Sequence, residues 1–236
     1  MALISHDHEL IFLKTAKTAG TSVEMFLEAI CSGSDTPVLE RTHARQTERL
    51  IVGMRLVEKA ERLPLDEVWY NHMPAAEIRD RLGPERWDRY RKVTTVRNPF
   101  DLAVSRFHWT AERRGDLPIP EDVDRQREAF SHFVKTAVFR SSADITHIDG
   151  VFAVDHILRF ETLPADLRTL CADLGLRYDP AILPHAKATS WRRFGLATED
   201  YYTPETEEIV LHQYAWMFDH GGYSRSVKEL AGGVGV

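Results

Sequence analysis

The segment Lys14-Thr15-Ala16-Lys17-Thr18-Ala19-Gly20-Thr21-Ser22 gathers two lysines, four hydroxyl side chains and a glycine into nine consecutive residues. Where a strand turns into a helix, such a stretch can aim its backbone N–H groups at an anion held on the positive end of the helix dipole. Lys17 adds a full positive charge, so the chemistry implied is the binding of a phosphate-like group. The ATP-type loop needs a glycine at each end of a longer loop, with its lysine directly before the hydroxyl residue at the helix start. Here Ala19 and Gly20 stand between Lys17 and Thr21-Ser22, and no glycine lies upstream in the loop. On this segment alone, an ordinary strand-to-helix turn with a surface lysine is the competing reading.

The elements that must position this loop follow from hydrophobic period. Leu10 to Leu13 form a short apolar run, and Val23, Phe26, Leu27 and Ile30 recur at helical spacing. Strand, loop and helix are therefore expected, with the helix starting just after Gly20 and Thr21 and Glu24 in capping-box register. The same grammar returns at Lys92 to Val96, followed by Phe100, Ala103, Val104, Phe107 and Ala111 on one helical face, with Asn98 as N-cap and Pro99 at the first helical position. A third unit runs from Val154 to Phe160 as strand, then Leu163, Leu167, Leu170 and Leu174 as helix.

Three strand-then-helix units predict an α/β, P-loop-like three-layer fold with a central parallel sheet flanked by helices. Residues 14–22, 97–105 and 159–161 are then expected at the carboxyl ends of its strands, where such sheets bind ligands. Residues 41–63 read as a charged helical segment and 111–149 as a polar stretch, the two excursions expected to shape a second substrate's cleft. Thr203-Pro204-Glu205 opens a last helix carrying Ile209, Val210, Tyr214 and Met217. A single domain over 1–236 is expected.

A strand, then Lys17-Thr18-Ala19-Gly20-Thr21-Ser22, then a helix resembles the phosphosulfate loop of the sulfotransferases that use 3′-phosphoadenosine 5′-phosphosulfate (PAPS). Ala16 stands where that family usually has proline. Val96-Arg97-Asn98-Pro99, with Ser105 eight residues after the arginine, is similar to the family's grip on the 3′-phosphate. The physical sense is that an arginine at a strand end and a serine in the next helix can donate charge-assisted hydrogen bonds to one phosphate. Val154 to Leu163, with its Arg159-Phe160-Glu161 ending, resembles the family's third strand. Leu183 to Ser190, containing Lys187, resembles the loop that closes over the nucleotide. The resemblance covers residues 11–223 in patches and is nearest to a soluble, bacterial-like member of the carbohydrate or Golgi-type branch.

What the resemblance implies is sulfuryl transfer with PAPS as co-substrate and no metal. Lys17 stabilises charge on the departing 5′-phosphate, which the Ala19 to Ser22 amides and the Thr21 and Ser22 hydroxyls hold; Thr18 and Gly20 belong to the same cradle. Arg97, Ser105 and Lys187 complete the nucleotide site. Among 11 histidines, His72 in Tyr70-Asn71-His72-Met73-Pro74 stands just before a new helix and between the two nucleotide motifs. It is the expected general base, with His43, Glu24 and His108 as rivals. Arg113, Arg114, Lys135 and Arg140 are available for an anionic sugar. The expected acceptor is a carbohydrate or a glycosylated small molecule, with a lipid or phenol next.

Composition sets the outer limits. A net charge of −6 argues against a non-specific nucleic-acid binder, and 43% hydrophobic with 28% charged residues is ordinary for a globular chain. No apolar run reaches the roughly 18 residues of a membrane span, and the first residues lack a secretory pattern, so a cytoplasmic protein with no integral membrane association is expected. Cys31 and Cys171 sit in apolar helical patterns and read as core thiols. A P-loop kinase and a non-catalytic nucleotide-binding module are the alternative functions. The kinase would need a carboxylate for Mg²⁺ at a neighbouring strand end, where Arg97-Asn98 stands instead.

Overall fold

The computed structural model describes residues 2–33, 38–55, 69–114, 122–137, 141–184 and 196–232. In chain order the elements are β1 (Ala2–Ser5), β2 (Leu10–Leu13), α1 (Gly20–Ser32), β3 (Arg45–Gln46), β4 (Leu50–Val52), α2 (Ala75–Leu82), α3 (Pro84–Arg89) and β5 (Arg91–Val96). They continue with α4 (Pro99–Arg114), α5 (Val123–Thr136), α6 (Ala143–Thr146), β6 (His147–Ile148), β7 (Val151–Phe152), β8 (His156–Arg159), α7 (Leu163–Asp173), α8 (Pro204–Gln213) and α9 (Ala215–Gly221). The residues cluster into two compact units, Met1–Val96 with Ser142–Ala186 and Arg97–Ser141 with Lys187–Val236.

The first unit is α/β. Its six-stranded sheet has the order β3-β4-β1-β2-β5-β8. All four residues of β2 are buried, because both faces of the sheet are covered. Leu10 and Phe12 point into one core with Val23, Phe26 and Leu27 of α1 and Leu167 and Leu170 of α7. Ile11 and Leu13 alternate into the opposite core with Ile78 of α2 and Trp87 of α3. Cys31 and Cys171 belong to the first core, and burial pushes the Cys31 thiol up to about 12.

The sheet is mixed, which corrects the expected parallel one. β2, β5 and β8 run parallel, but β1 is antiparallel to β2 and β4, and β3 to β4. A four-residue connection between Ser5 and Leu10, with Glu9 at φ +47°, returns the chain directly upon itself, and so short a link can only join antiparallel strands. Of the expected charged helix over 41–63, residues 56–63 lie outside the described residues and 41–55 are not helical. Leu50 and Val52 enter one core and Ile51 the other, a strand alternation, while Thr42 bridges Arg55.

The second unit is helical and carries α4, α5, α8 and α9. Asn98 Oδ1 accepts the Phe100 N–H at 3.0 Å, so α4 begins at Pro99 as expected. Aromatic edges hold this unit together: Phe107 meets Phe130 with centroids 5.7 Å apart, and Phe100 meets Phe218 at 5.1 Å. Among the described residues no helix is long and apolar enough to cross a membrane.

Candidate functional site

The loop of residues 14–19 leaves β2 and enters α1 at Gly20. Three buried threonines bolt it to the end of β5. Thr15 Oγ1 donates to the Thr95 carbonyl, Thr15 and Thr18 hydroxyls lie 2.8 Å apart, and Thr18 and Thr95 hydroxyls 2.7 Å apart. Thr94 Oγ1 also donates to the Leu13 carbonyl at 2.6 Å, closing the β2 end. These side chains are excluded from water, so each bond forms without competition and the loop has one conformation to adopt.

That conformation is a left-handed one at two non-glycine residues, Lys17 with φ +66° and Ala19 with φ +61°. Each such residue costs about 1 kcal/mol or more. Left-handed residues in a turn are one element of the backbone arrangement that can present successive N–H groups to an anion. The first intrahelical bond of α1 runs from Val23 N to Ala19 O at 3.2 Å, so the amides of Gly20, Thr21 and Ser22 precede the helical ladder. No acidic residue lies in the first turn of α1. Gly20 is required by contact: a Cβ there would sit 2.6 Å from Lys14 Cγ and 3.2 Å from the Thr15 carbonyl.

The expected Thr21–Glu24 capping box does not form; Ala19 is the N-cap, with no side-chain cap. Glu24 turns instead to Lys14, whose Nζ donates to Glu24 Oε2 at 3.1 Å with both side chains buried. A tertiary ion pair outweighs the local cap, because an unpaired carboxylate at that depth would be far costlier than an unfilled cap on a helix start.

His72 joins this loop. Its Nδ1 lies 2.9 Å from the Lys14 carbonyl. A carbonyl only accepts, so Nδ1 carries the hydrogen and, in the neutral ring, Nε2 carries the lone pair. His72 also has a left-handed backbone, φ +59°. Buried Trp69 and Met73 anchor the turn on either side of it. Behind it Tyr70 Oη donates to Glu77 Oε2 and Arg81 Nη2 to Glu77 Oε1, fixing the entry to α2.

Two rivals for the base are removed by their surroundings. Glu24 is buried against Lys14. His108 is 1% exposed in the second unit, where Tyr201 Oη donates to Gln126 Oε1 at 2.6 Å and therefore accepts from His108 Nε2 at 3.0 Å. Burial lowers the His108 pKa to about 4. The unfolded chain takes up this proton near pH 6.5, so stability is full above that pH and is lost as pH falls from 6.5 toward 4. We expect urea midpoints to fall over that window by an amount equivalent to about 3 kcal/mol. His108→Gln should flatten the pH dependence in the same titration; equal slopes for variant and wild type would exclude His108 as its source.

Arg97 and Ser105 belong to the second unit. Arg97 is buried and donates from Nε (2.7 Å) and Nη2 to Asp101 Oδ2, while Asp101 Oδ1 accepts from Thr198 Oγ1 at 3.0 Å. Ser105 is 3% exposed on α4. The structure thus brings the 14–22 loop and His72 together in one unit and holds Arg97 by a carboxylate one helical turn on. Lys187 and Arg140 lie outside the described residues, as do the side chains of Arg113 and Arg114. Lys135 pairs with Glu205 at 2.6 Å. Asp101 carries a readable signal in sequence, its i, i+4 spacing from Arg97, whereas Thr95 looks like any strand threonine.

No family model matches the chain, and neither a curated protein nor a solved structure matches it.

Proposed function

We propose that this chain is a sulfotransferase that moves a sulfuryl group from PAPS to an acceptor hydroxyl. The observation that supports it most is the company kept by the strained residues. Of the six non-glycine residues with positive φ among those described, Lys17 and Ala19 lie within one loop and His72 is hydrogen-bonded to it. Strain of this kind persists where the surroundings over-determine it, and it gathers at functional sites. The amides at a helix start, a lysine on the same loop and a tautomer-fixed imidazole bonded to that loop are the parts that transfer of a charged group needs.

In this reading the 5′-phosphosulfate lies on the amides of residues 19–22 and the hydroxyls of Thr21 and Ser22, in the cradle to which Thr18 belongs. The acceptor oxygen attacks sulfur, the bond from sulfur to the bridging oxygen breaks, and 3′-phosphoadenosine 5′-phosphate leaves. Lys17 balances the charge that grows on that oxygen, and His72 Nε2 takes the acceptor's proton. Arg97 and Ser105 are assigned the 3′-phosphate from their spacing. The favoured acceptor is a carbohydrate hydroxyl, on the resemblance of the two motifs.

Calorimetric titration with 3′-phosphoadenosine 5′-phosphate, with adenosine 5′-phosphate and with ATP plus Mg²⁺ tests the reading. Preference for the 3′,5′-bisphosphate is expected, and preference for ATP would replace the sulfotransferase with a kinase. Arg97→Ala should weaken the bisphosphate by about 10- to 100-fold, the loss of charged hydrogen bonds, and adenosine 5′-phosphate much less. Equal losses for both would take the 3′-phosphate away from Arg97.

A further inference from the structure

Beneath the phosphate loop lies a chain of buried charges that sulfuryl transfer as set out above does not use. Lys14 reaches Glu24 at 3.1 Å, Arg55 stands 3.9 Å from the same Glu24 oxygen, and Arg55 Nη2 lies 2.6 Å from Glu28 Oε2. Glu28 also receives Arg45. Lys14, Glu24, Arg55 and Glu28 are all below 5% exposed. Glu24 Oε1 and Arg55 Nε and Nη1 are buried with no hydrogen-bond partner among the described residues. A buried network left partly unsatisfied is a poor source of stability, since well-packed neutral side chains of the same volume commonly do as well.

The network's geometry points to positioning. The Lys14 stem passes directly under Gly20, whose missing Cβ leaves the room it occupies. Its ammonium is held by Glu24 from α1. Its carbonyl is the acceptor that fixes the His72 ring. One residue is therefore gripped at its far end by the helix, in its middle by the loop's glycine, and at its backbone by the imidazole. The threonine bolt grips the next residue, Thr15, together with Thr18, through their hydroxyls, whereas the Lys14 side chain is gripped by Glu24.

We propose that Lys14 is a positioning residue for His72: the buried Lys14–Glu24 pair sets the Lys14 carbonyl so that the imidazole is held as the Nδ1–H tautomer with Nε2 as proton acceptor. This rests on the reading of His72 as the base. The division of labour is then explicit. Thr15, Thr18 and Thr95 set the anion cradle, and Lys14 with Glu24 sets the base.

The test is ¹⁵N NMR of the histidine rings in wild type, Glu24→Gln and Lys14→Met/Glu24→Gln, the double variant keeping both stems while removing both charges. Wild type should show His72 with a protonated Nδ1 and an unprotonated Nε2. In both variants the Nε2 resonance should move toward the protonated position. The double variant should lose turnover by about 10- to 100-fold, as a misplaced catalytic group does, while 3′-phosphoadenosine 5′-phosphate binds as in wild type. A wild-type ring protonated on Nε2, or a tautomer unchanged in Glu24→Gln, would overturn the proposal whether or not the double variant folds. Failure of wild type to bind the bisphosphate would instead overturn the sulfotransferase reading and leave the tautomer result standing.

Discussion

Lys17→Ala is expected to lower turnover of PAPS by about 10²- to 10³-fold, the usual cost of removing one group aimed at developing charge. Binding of 3′-phosphoadenosine 5′-phosphate should stay measurable. The backbone makes this substitution a clean one. Lys17 sits at φ +66°, where lysine and alanine pay the same Cβ penalty, so the exchange removes the ammonium and leaves the strain as it was. The loop itself is held by hydrogen bonds among Thr15, Thr18 and Thr95. The ammonium's effect is therefore separable from the cradle's shape. Release of the bisphosphate with glycan acceptors measures the turnover, and calorimetry the binding. Unchanged turnover would remove Lys17 from the chemistry, and binding lost in parallel with turnover would make Lys17 a general anchor for the nucleotide.

Why the loop could be read from sequence while half of the sheet could not is a matter of range. β2, β5 and β8 are each followed by a helix with its own apolar period, and Asn98-Pro99 mark the start of α4 by chemistry confined to three residues. The antiparallel half has no such local signature. β1 has four residues, and β3 is the exposed pair Arg45-Gln46. Their place in the sheet is decided by partners on β2 and β4, not by their own propensity.

Residues 41–63 read as a charged helical segment, yet the described part of it, 41–55, has no helix. The charge of Arg55 is met by Glu24 and Glu28 on α1, far along the chain. The same non-local pairing explains the failure of the Thr21–Glu24 capping box. In the candidate site, residue types were legible at Lys17, Gly20 and His72, but the reasons for them were not. That Gly20 is needed for the Lys14 stem, and that His72 faces the Lys14 carbonyl, are contacts between elements that no spacing encodes.

His72→Asn should abolish most of the turnover, by about 10²- to 10⁴-fold, the range that a positioned proton acceptor supplies. Asparagine is the informative replacement on two counts. It is among the non-glycine residues most tolerant of the left-handed region that His72 occupies at φ +59°. Its side-chain amide nitrogen can also donate to the Lys14 carbonyl in the place of Nδ1. The turn between Trp69 and Met73, the loop and the nucleotide site should therefore persist, and what disappears is the lone pair on Nε2. Two measurements separate this from a structural effect. Affinity for 3′-phosphoadenosine 5′-phosphate should match wild type. An acid limb is expected in the wild-type pH–rate profile, because a protonated imidazole accepts nothing, and it should be missing from the residual activity of the variant. Turnover at the wild-type level, or an acid limb that survives the substitution, would move the base to another residue; His43, exposed on the segment before β3, is then next to be replaced.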